Sequence, residues 1–318
     1  MNKTTGLLGT LFALAAQAVL AQGFPNKPIR LIVTFPPGGA TDAMARGLSA
    51  PLGKLLGQPV VVDNRPGANS IIGMEACAKS APDGYNYCMT NNDAISFNPA
   101  LYAKLPYDLK DFYPIAKVAD IDQVIVAHKD TAGASLRQII DAAKTKPLTW
   151  SNFGPGSMGH LYAVWFNNNA GAQFTPVPYK GAGPAMEASI KGEVAVSLFG
   201  VGAALPHLKN GTLKAIAIVD EKRSKYLPDV PTIAEMGYPF VVRAWLGFFA
   251  PRAIPDEIAR RMNREIGKVL EDAEFREKFL AAQAFGAAPN TPEQFMEFIR
   301  ADAKVAAEQL RAAKITLE

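Results

Sequence analysis

The residues that build metal centres and disulfide frameworks are scarce in this sequence. Two of its 318 residues are cysteines, Cys77 and Cys88, and three are histidines, which do not have the H-E-x-x-H spacing. Two cysteines exclude a cysteine-only zinc site and a scaffold held by many disulfides. In an oxidising compartment the two could form one disulfide, and otherwise both serve as small buried apolar side chains. The composition therefore gives no metal signal.

Concentrated positive charge and long apolar runs are also missing from most of the chain. The formal net charge is +4, but lysine and arginine are scattered among aspartate and glutamate, so we expect no nucleic-acid partner. One apolar stretch, residues 7–20, follows Lys3 and precedes Ala21. This order is typical of a secretory signal peptide at 1–21, and the stretch is too short to span a membrane. We therefore expect export of a mature chain that begins at Gln22.

Short strand-like runs alternate with helix-like segments over most of the mature chain. This alternation predicts an α/β fold with largely parallel sheets. We predict strands at 29–34, 60–63, 87–90, 123–127, 149–152, 195–199 and 215–219. Helices are predicted at 42–56, 70–80, 136–145, 159–169, 184–191 and 203–209. After about Ala250 the pattern is helical only, at 257–270, 274–284 and 292–313.

The C-terminal helices indicate how the chain is divided into lobes. Helices rich in alanine and paired charges usually cover a sheet that is built elsewhere in the chain. The C-terminal segment should therefore return to the first half, with two crossover connections near 121–128 and 243–249 and a cleft between two lobes. We predict that lobe 1 contains residues 22–124 and 247–318 and that lobe 2 contains residues 125–246.

Two glycine-containing loops follow neighbouring strands of the first lobe. They are F-P-P-G-G-A-T-D at 35–42 and N-R-P-G-A-N-S at 64–70. A strand that passes through such a turn into a helix leaves the first N–H groups of the helix unpaired above the end of the strand. Neighbouring parallel strands end at one crevice, so the two loops predict an anion pocket. Neither loop has a P-loop or dinucleotide-binding spacing.

Several polar residues near this pocket have two possible roles each. Asp42 would repel an anion, so it is better placed as a charge at the helix start or as a brace of the loop. Arg65 could pair with a ligand carboxylate or with Asp63. The turn that contains Asn92 and Asp93 either reaches into the same crevice or is a plain turn.

The second lobe repeats the strand, glycine-rich loop and helix pattern. Ser157 and His160 lie at a predicted helix start, but a hydrolase elbow requires glycine where Pro155 stands. They fit a helix cap and a polar pocket wall better than a nucleophile and a base. Lys180, in the next such loop, either meets a negatively charged ligand or is a solvated loop lysine.

These segments, taken together, resemble the periplasmic solute receptors of tripartite tricarboxylate transporters, the Bug family. The resemblance runs from Phe24 to about Ala313. Its motifs are P-I-R-L-I-V at 28–33, F-P-P-G-G at 35–39, T-D at 41–42, N-R-P-G-A at 64–68, P-D-G-Y at 82–85, N-P-A-L-Y at 98–102, L-P-Y-D at 105–108, P-Y-K-G at 178–181, P-T-I-A-E-M-G at 231–237 and W-L-G at 245–247. Each motif is weak alone, but so many in the same order are specific.

The resemblance implies a type II periplasmic binding protein fold, in which two α/β lobes close on a small carboxylate without a metal or organic cofactor. One ligand carboxylate is then held by the first lobe, partly through ordered waters, which points to Phe35, Gly39, Thr41, Asp42, Gly67, Ala68, Asn69 and Ser70. The far end of the ligand is read by Ser157, His160, Lys180, Gly181, Ala182 and the strand end at Phe199 and Gly200. We expect a monomer that delivers its ligand to inner-membrane transporter subunits.

The sequence departs from this family at the far end of the pocket. Many relatives have an acidic residue where Ala195 stands and Asp or Asn where Gly200 stands. An amino-acid ligand is therefore disfavoured, and a dicarboxylate or an aromatic carboxylate is favoured, because Phe35, Phe153 and Phe199 could flank a ring. The alternatives are a secreted Ser/His hydrolase and a sensory receptor that docks on a signalling protein.

Overall fold

The computed structural model describes residues 23–131, 133, 135–315 and 317. The predicted signal peptide at 1–21 lies outside these residues. Within the described part of the chain, no helix combines the length and the apolar character needed to cross a membrane.

The described residues form eleven strands and ten α-helices. The strands are β1 (Ile29–Val33), β2 (Val60–Asn64), β3 (Asn86–Asn91), β4 (Phe112–Ile121), β5 (Gln123–His128), β6 (Leu148–Asn152), β7 (Phe174–Pro178), β8 (Val196–Gly200), β9 (Leu213–Ile218), β10 (Ala244–Pro251) and β11 (Phe285–Gly286). The helices are α1 (Ala40–Leu56), α2 (Ile71–Ala78), α3 (Asn98–Leu101), α4 (Leu136–Thr145), α5 (Met158–Ala170), α6 (Ala182–Ile190), α7 (Val201–Lys209), α8 (Asp256–Glu271), α9 (Ala273–Phe275) and α10 (Pro292–Ala312). Two π-helical turns, Asp93–Phe97 and Arg276–Leu280, and a 3-10 turn, Leu109–Asp111, complete them.

The strands form two sheets, one in each lobe. The first sheet has the order β11-β4-β10-β3-β1-β2, and the second has the order β7-β6-β8-β5-β9. A single residue, Asp122, separates β4 in the first sheet from β5 in the second, and the chain returns to the first sheet between β9 and β10. The second sheet thus begins at Gln123 and the first resumes at Ala244. The exact lobe boundaries at 124 and 247 stay predictions.

The prediction of largely parallel sheets is wrong for the strands at the crossovers. The pairs β1–β2, β1–β3, β6–β7 and β6–β8 are parallel, whereas β10 is antiparallel to β3 and β4, and β5 is antiparallel to β8 and β9. A chain that passes directly from one sheet to the other has no crossover helix to restore a parallel direction. β11, which pairs with β4, also lies beyond Ala250, where no strand was predicted. Two residues are too few to show a strand period.

The start of α10 has a capping box. The hydroxyl of Thr291 accepts from the main-chain N–H of Gln294 at 3.2 Å, and the Gln294 side chain accepts from the N–H of Thr291 at 2.9 Å. This reciprocal arrangement fixes the start of α10. The far end of α10 buries Ala306 and Leu310 in the same apolar cluster as Trp150 of the second sheet. The C-terminal helix therefore packs against both lobes.

Cys77 and Cys88 form a disulfide. The sequence had left open whether they do so or remain two buried free cysteines. Their Cα atoms are 6.0 Å apart, and the bond joins α2 to β3. Both residues are fully buried in an apolar cluster that includes Trp245 of β10. The bond therefore anchors the strand that leads into the turn containing Asp93.

Removal of this disulfide should destabilise the fold. We expect the double variant Cys77→Ala, Cys88→Ala to lose about 3 kcal/mol of unfolding free energy, because the unfolded chain regains the entropy of a loop of about ten residues. Urea denaturation followed by circular dichroism measures the change. The wild type in reducing buffer is the control, since it loses the bond and keeps both side chains. An unchanged midpoint in both samples would contradict a stabilising bond.

Candidate functional site

A cavity of about 130 Å³ lies between the two sheets. It is smaller than a typical drug-sized pocket of roughly 300 to 1,000 Å³, so it suits a small molecule. Eight of the residues predicted for the site line it, namely Phe35, Gly39, Thr41, Asp93, Gly181, Ala182, Phe199 and Gly200. The cavity therefore brings together residues from both lobes.

The starts of four helices face this cavity. Its lining includes Ala40 of α1, Met158 of α5 and Ala182 of α6, together with Gly200 immediately before α7. No described residue accepts a hydrogen bond from the main-chain N–H of Ala40 or Ala182. Unpaired N–H groups and aligned peptide dipoles make each helix start partly positive. The starts of α1 and α6, one in each lobe, therefore offer main-chain donors suited to an anion, whereas the N–H of Val201 donates to the main-chain oxygen of Asp122 at 2.8 Å and that of Met158 donates to Asp93.

Cationic side chains do not contribute to this lining. Among the described lining residues there is no lysine, arginine or histidine, and Asp93 is the one with an ionisable side chain. Lys180 is exposed to solvent and lies outside the lining. An anion in this cavity would therefore be held by neutral donors rather than by an ion pair.

Asp42 braces the first loop and does not line the cavity. Its carboxylate accepts from the main-chain N–H of Gly38 at 3.0 Å, from Arg46 and from the Asn64 amide at 2.9 Å. Burial raises the pKa of Asp42, but the hydrogen bonds from Arg46, Gly38 and Asn64 together lower it below its usual value. The prediction of a loop brace is confirmed.

The second loop, 64–70, lies beside the cavity rather than in its lining. None of its four predicted site residues, Gly67, Ala68, Asn69 and Ser70, lines the cavity. Ala68, Asn69 and Ser70 have φ angles of 46°, 49° and 74°, a left-handed run that side chains seldom adopt. The Asn69 amide donates to Asn98 at 2.9 Å. Contact between this loop and a ligand stays a prediction.

Arg65 and the base of the same loop have partners within the first lobe. Arg65 lies 3.0 Å from the Asp63 carboxylate, which is one of the two readings from the sequence. The Ser70 hydroxyl is buried and lies 3.1 Å from that of Thr34. These contacts fix the loop at the ends of β1 and β2.

The third turn contributes Asn91 and Asp93 to the cavity, whereas Asn92 points elsewhere. The Asn92 amide is buried and donates to the main-chain oxygen of Arg243 at 3.2 Å. Asp93 is 2% exposed, its main-chain N–H donates to Asn91 at 3.2 Å, and its Oδ1 has no hydrogen-bond partner among the described residues. Burial raises the pKa of Asp93 to about 7, against hydrogen bonds from Asn91 and the main chain of Met158 that lower it.

Ser157 and His160 are not arranged as a nucleophile and a base. The Ser157 hydroxyl donates to the main-chain oxygen of Gly154 at 2.7 Å and accepts from the N–H of Phe153 at 3.1 Å. His160 Nδ1 accepts from the N–H of Gly156 at 3.4 Å, and burial lowers the His160 pKa. Neither side chain lines the cavity. Both stabilise the loop that presents Phe153.

Several lining residues were not predicted from the sequence. Gln123, Gln283 and Phe285 line the cavity, and Gln123 Oε1 is buried without a hydrogen-bond partner among the described residues. Gln123 comes directly after the single-residue crossover at Asp122, so the crossover predicted near 121–128 could have placed Gln123 at the cleft. Phe285 reaches the cavity because the short β11 pairs with the end of β4. No local pattern indicates that pairing.

A family model described as "Tripartite tricarboxylate transporter family receptor" matches residues 44–313. The chain belongs to this receptor family. It is 38% identical over 306 residues to protein BugT of Bordetella pertussis, covering 94% of each chain.

Solved structures of receptors have the same fold. The chain superposes on the periplasmic binding protein BugD with a TM-score of 0.87 at 28% identity, covering 93% of this chain and 100% of that one. It superposes on R. palustris Rpa4515 with adipate at 0.86 and 28% identity, with the same coverage. For MatC from Rhodopseudomonas palustris with bound malate, the TM-score is 0.82 at 27% identity, covering 90% and 100% of the two chains. The two-lobe fold is therefore that of periplasmic solute-binding receptors, which are not enzymes.

The lobes touch closely at glycines near the cavity, so closure can be tested by adding a methyl group. A β-carbon at Gly202, in α7, would overlap the main-chain oxygen of Gln283 in the first lobe, whereas one at Gly183, in α6, would meet no atom within 4 Å. We expect Gly202→Ala to hold the lobes apart and to weaken ligand binding more than about tenfold, since alanine is itself favoured over glycine in a helix.

The matched control is Gly183→Ala, which adds the same methyl group to open space. Small-angle scattering should show a larger radius of gyration for Gly202→Ala in the presence of a binding carboxylate. Calorimetry gives the affinities. Equal affinities for both variants would show that this contact plays no part in closure.

Proposed function

We propose that this chain is a periplasmic receptor that captures a dicarboxylate or an aromatic carboxylate and delivers it to the inner-membrane subunits of a tripartite tricarboxylate transporter. The observation that supports this most directly is the cavity surrounded by four helix starts, in a chain that belongs to the receptor family. Buried carboxylates require hydrogen-bond donors, and helix N-termini supply them without a cation.

The first lobe is the proposed grip for one carboxylate. Thr41 is buried, lines the cavity and lies in the first turn of α1, next to the unpaired N–H of Ala40. A hydroxyl and main-chain N–H groups can bind two carboxylate oxygens at once. Waters between these donors and the ligand would extend the grip toward the loop at 64–70.

Four phenylalanines give the cavity aromatic walls. Phe35, Phe153, Phe199 and Phe285 all line it. Such walls favour an aliphatic or aromatic body between polar ends. The relatives solved with adipate and with malate hold acids that carry a carboxylate at each end. We therefore infer that the ligand has at least one terminal carboxylate and an apolar body.

A ligand screen tests this function. We expect adipate, succinate, malate, phthalate or benzoate to raise the melting temperature, because a ligand at about one hundred times its dissociation constant stabilises by roughly 2.7 kcal/mol. Differential scanning fluorimetry identifies the binders and calorimetry gives their affinities. Aspartate and glutamate are the comparison ligands. Tight binding of these two alone would overturn the proposed ligand class.

The role of Thr41 is tested by removing its hydroxyl. Thr41→Val keeps the shape of the side chain and should weaken binding of the best carboxylate about fivefold to tenfold, the effect of one hydrogen bond of about 1 kcal/mol. Thr175→Val, at an exposed position of β7, is the matched control and should leave the affinity unchanged. Equal affinity for both variants would place the ligand away from α1.

A further inference from the structure

Asp93 is an acidic residue in the lining of a cavity proposed for an anion, and the proposed function does not explain its presence there. It follows β3 at the first position of the π-helical turn Asp93–Phe97, and the residue lines the cavity while being 2% exposed. Its Oδ1 has no hydrogen-bond partner among the described residues. A buried polar atom without a partner is costly, and because Asp93 lines the cavity, a polar group of the ligand is a partner that could satisfy it.

A charged Asp93 and a bound carboxylate would repel each other. No cationic side chain of the described residues lines the cavity to offset two negative charges. Two carboxyl groups that share a dry site lower their energy by sharing one proton, which then forms a hydrogen bond between them. This arrangement satisfies the unpaired Oδ1 and the ligand at once.

The groups around Asp93 do not remove the repulsion. The elements next to Asp93 contain five titratable or charged side chains. They are Tyr102 and Tyr107 after α3, His160 on α5, Asp302 on α10 and Arg243 before β10. Asp302 accepts hydrogen bonds from Ser96 and Trp245, and Arg243 is paired with Asp220 and Glu221. Burial lowers the pKa of His160, which favours its neutral form. None of these groups brings a free positive charge to the cavity.

We propose that Asp93 binds the ligand as a carboxylic acid: where it is charged beforehand, it takes one proton from solvent as the carboxylate enters, and its O–H donates to a ligand carboxylate oxygen. This inference rests on the proposed carboxylate-receptor function. The balance is one ligand carboxylate, one Asp93 carboxylate and one proton combining into a complex with one negative charge fewer than the two carboxylates have together before the proton is added. No other bond is made or broken.

The pH dependence has a definite sign. With the pKa of Asp93 near 7 before binding and higher in the complex, Asp93 is already protonated near pH 6 and must take up a proton near pH 8. The affinity of the wild type should therefore fall about tenfold from about pH 6 to about pH 8. A ligand with an ammonium group over Asp93 would require the charged form and would show no such fall.

Calorimetry of the wild type tests the proposal without any substitution. Binding of the tightest carboxylate from adipate, succinate, malate, phthalate and benzoate is measured near pH 8 in two buffers with different ionisation enthalpies. We expect uptake of about one proton per ligand near pH 8 and about none near pH 6. Binding without proton uptake overturns the role of Asp93 and leaves the receptor function intact. Binding of none of the five acids at either pH overturns the receptor function itself.

The variant Asp93→Asn distinguishes proton uptake by Asp93 from proton uptake by other titrating groups. Its amide cannot ionise and can still donate to a carboxylate, so this variant should bind about tenfold more tightly than the wild type near pH 8 and should take up no proton. Asp302→Asn is the matched control, because it changes another mostly buried carboxyl that lies outside the cavity lining and should keep the wild-type pH slope. A pH slope that persists in Asp93→Asn would assign the proton to another group, such as His160, and would overturn the proposal.

Discussion

The cost of burying a carboxylate without donors is the constraint on which this site depends. That cost amounts to several kcal/mol, and on the proposed function it is offset by main-chain N–H groups at helix starts instead of by lysine or arginine. The donors come from both lobes, at Ala40 on one side and Ala182 on the other. Because opening the cleft separates the two sets of donors, closure and ligand binding must occur together. A receptor that delivers its ligand needs such a reversible grip.

Main-chain N–H groups can bind a ligand in a defined geometry only if the loops that contain them are rigid. Asp42 ties Gly38 to α1 and Asn64, so the first loop has a fixed shape before any ligand arrives. The Cys77–Cys88 disulfide holds β3, from which Asn91 and Asp93 extend. Of the residues that make these contacts, Gly38 lines the cavity, whereas Asp42, Asn64 and both cysteines lie outside its lining. Because these contacts order the loops before the ligand binds, binding does not incur the entropy cost of ordering them, and the affinity is higher for that reason.

The first-lobe grip could be predicted from sequence because its signal is local. A strand, a glycine-rich turn and a helix start at 29–42 determine where Gly39 and Thr41 lie. Gln123 and Phe285 could not be placed in the same way, because they reach the cavity through antiparallel pairing of β4, β5 and β11 over long separations. The left-handed run at Ala68–Ser70 was equally hidden, since non-glycine residues in that conformation are held there by tertiary contacts.

Asp93 connects the chemistry of the ligand to the movement of the lobes. It belongs to the first lobe, yet the main-chain N–H of Met158 in the second lobe contributes to its electrostatics. The proposed hydrogen bond to the ligand is what raises the pKa of Asp93 above about 7, so losing that bond favours the charged form above pH 7. On the proposal that the closed complex holds a proton, opening would return that proton to solvent and leave two like charges side by side. The repulsion between them would then assist release of the ligand at the transporter.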